Sequence, residues 1–393
     1  MLVDSSHLTP LPQRVSCLLV NYFSAAHMQL ALQTVLSQNL QNEYLTISLD
    51  VVVVDNSVDA QEAQSLRNWL AAWKAANPDS PAVELLINTH NTGFGQANNL
   101  AFAHSKGDWV MLLNPDTRMH ANCLLALVQA MLPQPALAAC GPAQYWDEEK
   151  NWHLPPAWLP TGIGTWTHTK AHHSQRDAMR LSKAYRNLSL QSWTRLSPVG
   201  QRAISGGAML LRRSAIEAPL FDPSFFMYFE DSDLCLRLQR KGWQLALVQQ
   251  AHLIHDWAHS AGKVAMMEAS KRLYFDKHFD GKGQWQRRFQ SINSPALANP
   301  LNASEIHLKG EALKLQVPDA WSAAWLLEAS PSPLMTPSMG LMGRGHEVQV
   351  SVDLLRKMSF KPEGIHQWQD VYVRLGPAHA TREPLPTFKL DLN

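Results

Sequence analysis

From Arg14 to Cys140 short β-branched runs alternate with longer stretches of helical period. "RVSCLLV", "ISLDVVVVD", "AVELLIN" and "DWVMLLN" predict strands, and "AAHMQLALQTVLSQ", "AQEAQSLRNWLAAWKAA", "GQANNLAFAHSK" and "ANCLLALVQAML" predict helices. Near-continuous apolar strands separated by helices predict an α/β fold with a mostly parallel sheet covered on both faces. Such sheets bind ligands at the carboxyl ends of their strands, so the polar residues just after each strand become the candidates for chemistry.

The pattern then breaks. Tyr145 to Pro198 is rich in Trp and His, lacks a long period, and predicts an inserted loop with some helix. Regular elements return from Ala203: a strand at "AISGGAMLLRR", a helix across "EDSDLCLRLQRKG", a strand at "WQLALVQQAHLIH" and a helix at "KVAMMEASKRLYFDKHF". This places the end of the larger domain near Asp280, within a first domain of residues 1–290. Beyond it, Pro and Ser clusters separate alternating runs such as "EALKLQV" and "DVYVRLG", which predict a small β-rich C-terminal appendage over residues 291–393.

Charge narrows the partners. Lys plus Arg total 34 against 33 Asp plus Glu, a net charge of +1, which gives no case for nucleic-acid binding by bulk electrostatics. The four cysteines lie in apolar runs without a CxxC pair, against a zinc site or a disulfide framework and in keeping with a reducing, cytoplasmic setting. No run approaches the ~20 apolar residues of a membrane span, so a soluble or peripheral protein is expected.

Four strand ends carry candidate chemistry. "VVVVDNSVD" ends in Asp55, Asn56 and Ser57, where a carboxylate can accept from a base or ribose, or where Ser57 or Asp59 can cap the next helix. "NTHNTGFGQANN" sets Gly93 and Gly95 at a helix mouth, either facing an anion with free amides or supplying a positive φ while the asparagines cap the helix. "WVMLLNPDT" ends in Asn114, Pro115 and Asp116, and an acid on a rigid turn suits Mg²⁺ or simply begins the turn. "HLIHDWAHSAG" offers His252, His255 and His259 at spacings too irregular for a zinc site, with His255 placed after its strand as Asp116 is after its own.

The last feature is "FFMYFEDSDLCLRLQRKGW", where Glu230, Asp231 and Asp233 crowd together beside aromatics. Three acids at a helix start can be paired by Arg237 and Arg240 or can raise one another's pKa.

These pieces, in this order, resemble the family 2 inverting glycosyltransferases of the GT-A fold, particularly the bacterial rhamnosyltransferase-like branch. The resemblance runs from about Val15 to Phe279 and rests on "NTGFGQANN", "LLNPDT", "ISGGAMLLRR", "FFMYFEDSDLCLRLQRKGW", "IHDWAHSAG" and "KRLYFDKHF". It implies a GT-A, Rossmann-like sheet flanked by helices. It also implies a nucleotide-sugar donor contacted by Asp55 at the base, with Asn91, Gly93 and Asn98 lining the donor pocket. Asp116 matches the last acid of the DxD metal motif, Asn114 replaces the first, and His255 matches a late histidine near the metal, Mg²⁺ or Mn²⁺. Asp231 is implied to be the catalytic base, with Glu230 positioning the acceptor, while Asp233 better suits the helix. Gly206 and Gly207 either let backbone approach sugar or acceptor, or permit a tight bend.

The resemblance further implies transfer of L-rhamnose from dTDP-rhamnose to a lipid-linked saccharide in cell-surface polysaccharide synthesis, such as O-antigen, at the inner face of the cytoplasmic membrane. A galactofuranosyl, glucosyl or N-acetylglucosaminyl donor, or a non-catalytic glycan-binding protein of the same fold, are the alternatives. A nicotinamide dehydrogenase is disfavoured because "CLLVNYFSAAH" has no glycine where GxGxxG is required. Within the insert, Trp146, Trp152, Trp158, Trp166 and Trp193 beside basic residues predict peripheral membrane contact, an acceptor platform, or rings packed under the loop.

Overall fold

The computed structural model describes residues 10–196, 198–256, 263–279, 283–292, 294–308, 310–358, 370–381 and 383–392. In chain order its elements are β1 (Leu11–Asn21), α1 (Ala25–Leu36), β2 (Leu45–Asp55), α2 (Ala60–Ala76), β3 (Ala82–Ile87), α3 (Gly93–His104), β4 (Trp109–Leu113), β5 (Thr117–Met119), α4 (Cys123–Met131) and β6 (Leu137–Tyr145). The insert follows with β7 (Trp152–His153), α5 (Gly162–Ala171) and α6 (Gln175–Thr194). Then come β8 (Val199–Gln201), β9 (Ala208–Arg212), α7 (Glu230–Arg240), β10 (Gln244–His255), α8 (Lys263–His278) and α9 (Gln284–Gln290). The C-terminal stretch holds β11 (Ser304–His307), β12 (Ala312–Gln316), β13 (Trp325–Ser330), β14 (Met339–Gly343), β15 (Glu347–Ser351), α10 (Val352–Met358), β16 (Val371–Pro377) and β17 (Thr387–Asp391).

Contacts divide the chain into two compact units at places other than the expected ones. The first runs to Gln144, takes in Ala157–Leu159 and resumes at Arg195; the second gathers Tyr145–Pro156, Pro160–Thr194 and the chain from Ala258 onward. The insert therefore belongs with the C-terminal residues, not with the domain it interrupts, and α8 and α9 join it there. The boundary expected at 290 falls inside the second unit, and the one near Asp280 lies outside the described residues.

In the first unit β3, β2, β1 and β4 are parallel neighbours, and β9 and then β6 continue the sheet antiparallel. This is the expected mixed α/β architecture. β2 owes its depth to four consecutive valines, Val51 to Val54, none more than 2% exposed, with flanking helices burying both faces. Asp59 caps α2 by accepting from the Gln61 and Glu62 amides. The register sets Asn21 of β1 beside Asp55 of β2, so the polar residues that end both strands share one edge of the sheet. All four cysteines are free and buried.

The second unit is built on the antiparallel order β17, β16, β13, β14, β7, with β11 parallel to β17 and β12 paired with β15 apart from it. The insert is more helical than its sequence suggests, since α6 alone has 20 residues. α6 is tied down by charge: Glu328 of β13, fully buried, receives the guanidinium of Arg374 in β16 on both oxygens at 2.8 Å and that of Arg186 in α6 at 2.5 Å. Two of the insert's tryptophans are core residues. Trp152 is 3% and Trp193 6% exposed, Trp193 donates to the Leu154 carbonyl, and its ring fills the space beside Gly340. Neither is available to a membrane or a sugar. No helix among the described residues is long and apolar enough to cross a membrane.

Candidate active site

Most of the predicted residues gather in two clusters in the first unit. Asn114 follows β4 and its amide donates to the Gly207 carbonyl at 2.9 Å, which docks the "NPD" turn on the segment leading into β9. A Cβ on Gly207 would stand 3.1 Å from the Asn114 amide nitrogen and 3.2 Å from the His255 ring, so the absence of a side chain lets these groups meet. Asp116 accepts the Asp256 amide on its own carbonyl, which brings the ends of β5 and β10 together.

His255 is oriented by Gln144. Its Nδ1–H donates to Gln144 Oε1 at 2.9 Å, which turns Nε2 toward Asp116 Oδ1, 3.4 Å away. A bare ring nitrogen and a carboxylate oxygen repel unless a proton or a cation lies between them. Two cis donors on an octahedral Mg²⁺ with bonds of about 2.1 Å stand roughly 3 Å apart, so the pair fits a shared cation. Among the described residues no group of three or more His, Cys, Asp or Glu is gathered as a metal site. A cation held here would have only Asp116 and His255 as protein donors of those types among the described residues. Of the other histidines expected near this point, His252 meets His120 edge to face with ring centroids 6.0 Å apart, and His259 lies outside the described residues.

Glu230 and Asp231 open α7 after two strained residues. Tyr228 and Phe229 have φ of 71° and 66°, left-handed values that cost non-glycine residues free energy and recur at functional sites. Asp231 is half-buried; its Oδ2 accepts the Gly206 amide at 2.9 Å and its Oδ1 the Ser232 amide at 2.6 Å. Burial raises its pKa above the ordinary aspartate value against those two hydrogen bonds. Glu230 is 5% exposed, its Oε2 is buried without a partner, and burial plus the charge of Asp231 push it up to about 8. The hydroxyl of Tyr228 is likewise buried without a partner, and burial and Glu230 push it up to about 12. Asp233 differs: fully buried, it pairs with Arg237 at 2.7 Å one turn on, as expected of a helix-stabilising acid.

The residues expected on the nucleotide side form a second cluster. Asp55, fully buried, accepts from Asn21 at 3.0 Å and from the Ser57 amide on Oδ1, while its Oδ2 has no partner. Asn56 holds the following loop: its amide nitrogen donates to Asn91 Oδ1, and its oxygen accepts from Asn88 and from the Thr92 amide. Asn91 also accepts the Gly93 amide, so both of its contacts shape the turn. Gly93 has φ of +79°, and a Cβ there would stand 2.2 Å from the Phe226 carbonyl. Its glycine is thus required by conformation and by the close approach of the loop before α7. Asn98, placed in the donor pocket by the resemblance, is 1% exposed and donates to the Phe94 carbonyl one turn back, so it serves α3 and not an open surface.

Three contributors escape a sequence reading: Gln144, Asn56 as the hub of its loop, and Asn99, which clamps Phe221 by donating to its carbonyl and accepting its amide. A polar residue ending the apolar strand "LAACGPAQY" was the available signal for Gln144.

A family model described as glycosyltransferase like family 2 matches residues 12–285. The N-acetylglucosaminyl-diphospho-decaprenol L-rhamnosyltransferase of Mycobacterium tuberculosis is 32% identical over 203 residues, which are 48% of this chain and 64% of that relative. Rhamnosyltransferase WbbL of Escherichia coli is 28% identical over 204 residues, 48% of this chain and 66% of its own. The chain thus spans just under two thirds of the length of each. Among solved structures, a Pyrobaculum calidifontis mannosyltransferase in complex with GDP-Man and Mn²⁺ aligns with a TM-score of 0.43 at 16% identity, covering 64% of this chain and 58% of its own. GalNAc-T7 with UDP, GalNAc and Mn²⁺ aligns at 0.45 and 14% identity, covering 72% and 56%. With a model matched over more than half its length, the chain belongs to glycosyltransferase family 2.

Proposed function

We propose that the protein is an inverting glycosyltransferase that moves L-rhamnose from a nucleotide-activated donor, dTDP-rhamnose, to a hydroxyl of a lipid-linked saccharide at the inner face of the cytoplasmic membrane. The observation that supports the chemistry is the meeting of Asn114, Gly207 and His255 next to Gly206 and the half-buried Asp231, with His255 also close to Asp116. The sugar rests on the names of the two rhamnosyltransferase relatives, and the lipid-linked acceptor on that of the Mycobacterium tuberculosis relative.

Asp231 is held by two amides, so its carboxylate is oriented before substrate arrives. It takes the proton of the acceptor hydroxyl as that oxygen bonds to the anomeric carbon and the bond to the nucleoside diphosphate breaks. A pKa raised by burial makes it a stronger base near neutral pH. Glu230, with its pKa at about 8, keeps its proton at pH 7 and offers a hydrogen-bond donor to the acceptor instead of a second negative charge. Asp55 Oδ2, buried without a partner, suits an N–H of the nucleobase. Asp116 and His255 Nε2 would hold a Mg²⁺ or Mn²⁺ ion, which when bound neutralises charge on the departing diphosphate.

The test is thermal stabilisation and product analysis with dTDP-rhamnose and UDP-sugars, with and without Mn²⁺. Selective stabilisation by dTDP-rhamnose with Mn²⁺ and a product of inverted anomeric configuration are expected. Stabilisation by a UDP-sugar alone would replace the donor, and retention would remove the single-displacement mechanism.

A further inference from the structure

The second unit holds a feature the transfer chemistry does not use. An open pocket of about 470 Å³ lies between the end of α5, the start of α6 and the residues after α9. Lys170, Arg176 and Arg180 line it, and Asp177 is the one carboxylate among its described lining residues. Asp177 offsets one of these charges, pairing with Lys170 at 3.2 Å and approaching Arg180 at 4.0 Å, and the lining stays net cationic. Trp166 forms a wall with Lys170 at 5.3 Å and Arg288 at 5.7 Å from its ring. Its indole Nε1–H is buried without an acceptor. The first turn of the 20-residue α6 adds the positive end of a long helix.

The pocket does not stand alone. Arg176, Met179, Arg180 and Lys183 fall at positions i, i+3, i+4 and i+7 of α6 and are all exposed, with Met179 at 54%. On α5, Ile163 is 53% exposed one turn before Trp166. A cationic helix face interspersed with exposed apolar side chains, beside a concave cationic pocket, has the chemistry of an interface with anionic headgroups.

We propose that this face of the second unit docks on the phosphate headgroups of an anionic lipid surface, with the pocket taking one headgroup phosphate. This extends the reading in which the acceptor is lipid-borne, but it is drawn from charge and shape, and its assay contains no sugar donor, so the two fail separately. The full chain is sedimented with vesicles of phosphatidylcholine, of phosphatidylcholine with phosphatidylglycerol, and of phosphatidylcholine carrying polyprenyl diphosphate. Binding to the phosphatidylglycerol vesicles is expected to fall with salt, and Arg176→Gln with Arg180→Gln to weaken it roughly 30-fold, each basic group near the surface contributing a several-fold factor. Lys183→Gln, outside the pocket on the same face, should weaken it by a smaller factor, and unchanged thermal midpoints would show that the exposed substitutions leave the fold intact. No binding to phosphatidylglycerol vesicles, or binding indifferent to the arginine substitutions, would overturn the proposal. Binding confined to the polyprenyl diphosphate vesicles would overturn it too, by assigning the pocket to the acceptor's own diphosphate.

Discussion

Two buried glutamates, one in each unit, have opposite surroundings. Glu328 in the second unit is fully buried, with Arg186 and Arg374 on its oxygens, and their charge holds its carboxyl below the usual glutamate range despite burial. Glu230 in the first unit is 5% exposed with one oxygen unpartnered and a carboxylate as its neighbour, and its pKa rises to about 8. Burial alone does not distinguish them; the partners do. A charge buried with its counter-ions ties elements together, whereas an acid buried beside another acid holds its proton to higher pH.

The contrast is most easily broken at Glu328. Glu328→Gln keeps the shape but leaves two guanidinium groups buried without an anion, and should cost about 3–5 kcal/mol in denaturant unfolding of the second unit. A loss under ~1 kcal/mol would show the arginines to be satisfied by Ser182 and the Pro377 carbonyl alone.

Glu230→Gln should act in the other direction and only at high pH. Because the folded pKa of about 8 lies above the ordinary 4.5, the folded state holds a proton that the unfolded state has released between those values, and wild-type stability falls as pH rises through that window. Glutamine has no such proton, so the variant should match wild type near pH 4 and exceed it by up to about 5 kcal/mol at pH 9. Parallel pH profiles for the two proteins would place Glu230 in an ordinary carboxylate environment.

Asp233 sharpens the comparison from within α7. Its partner Arg237 is partly exposed and can turn to solvent, so Asp233→Asn should cost only about 1 kcal/mol by thermal melting. A cost near that of Glu328→Gln would mean that Asp233 belongs with the clamped carboxylates.

The same contrast explains what the sequence disclosed. The first unit was legible because its strands are apolar on both faces and its helices keep a 3.6-residue period, so Asp55, Asn114, Asp116 and His255 could be placed at strand ends from the text. α6 was not, because its buried face includes Ser182, Arg186, Ser189 and Ser192, and a stripe completed by polar groups does not register as hydrophobic periodicity. The grouping of the insert with the C-terminal residues was hidden for the same reason: Arg186 meets Glu328 across 142 positions, and nothing local in either stretch announces the other. At the site, residue types and order were readable, but the roles of Gln144 and Asn56 depend on hydrogen bonds that exist only after folding. The left-handed backbone at Tyr228 and Phe229, which no glycine or asparagine marks, was equally invisible.

The central claim is that Asp231, beside a protonated Glu230, is the base. The most direct measurement is the single-turnover transfer rate of Asp231→Asn at saturating donor and acceptor, read together with its donor affinity. A fall of ~10²-fold or more in rate is expected, with donor affinity within about threefold of wild type. A variant that transfers at the wild-type rate would contradict it.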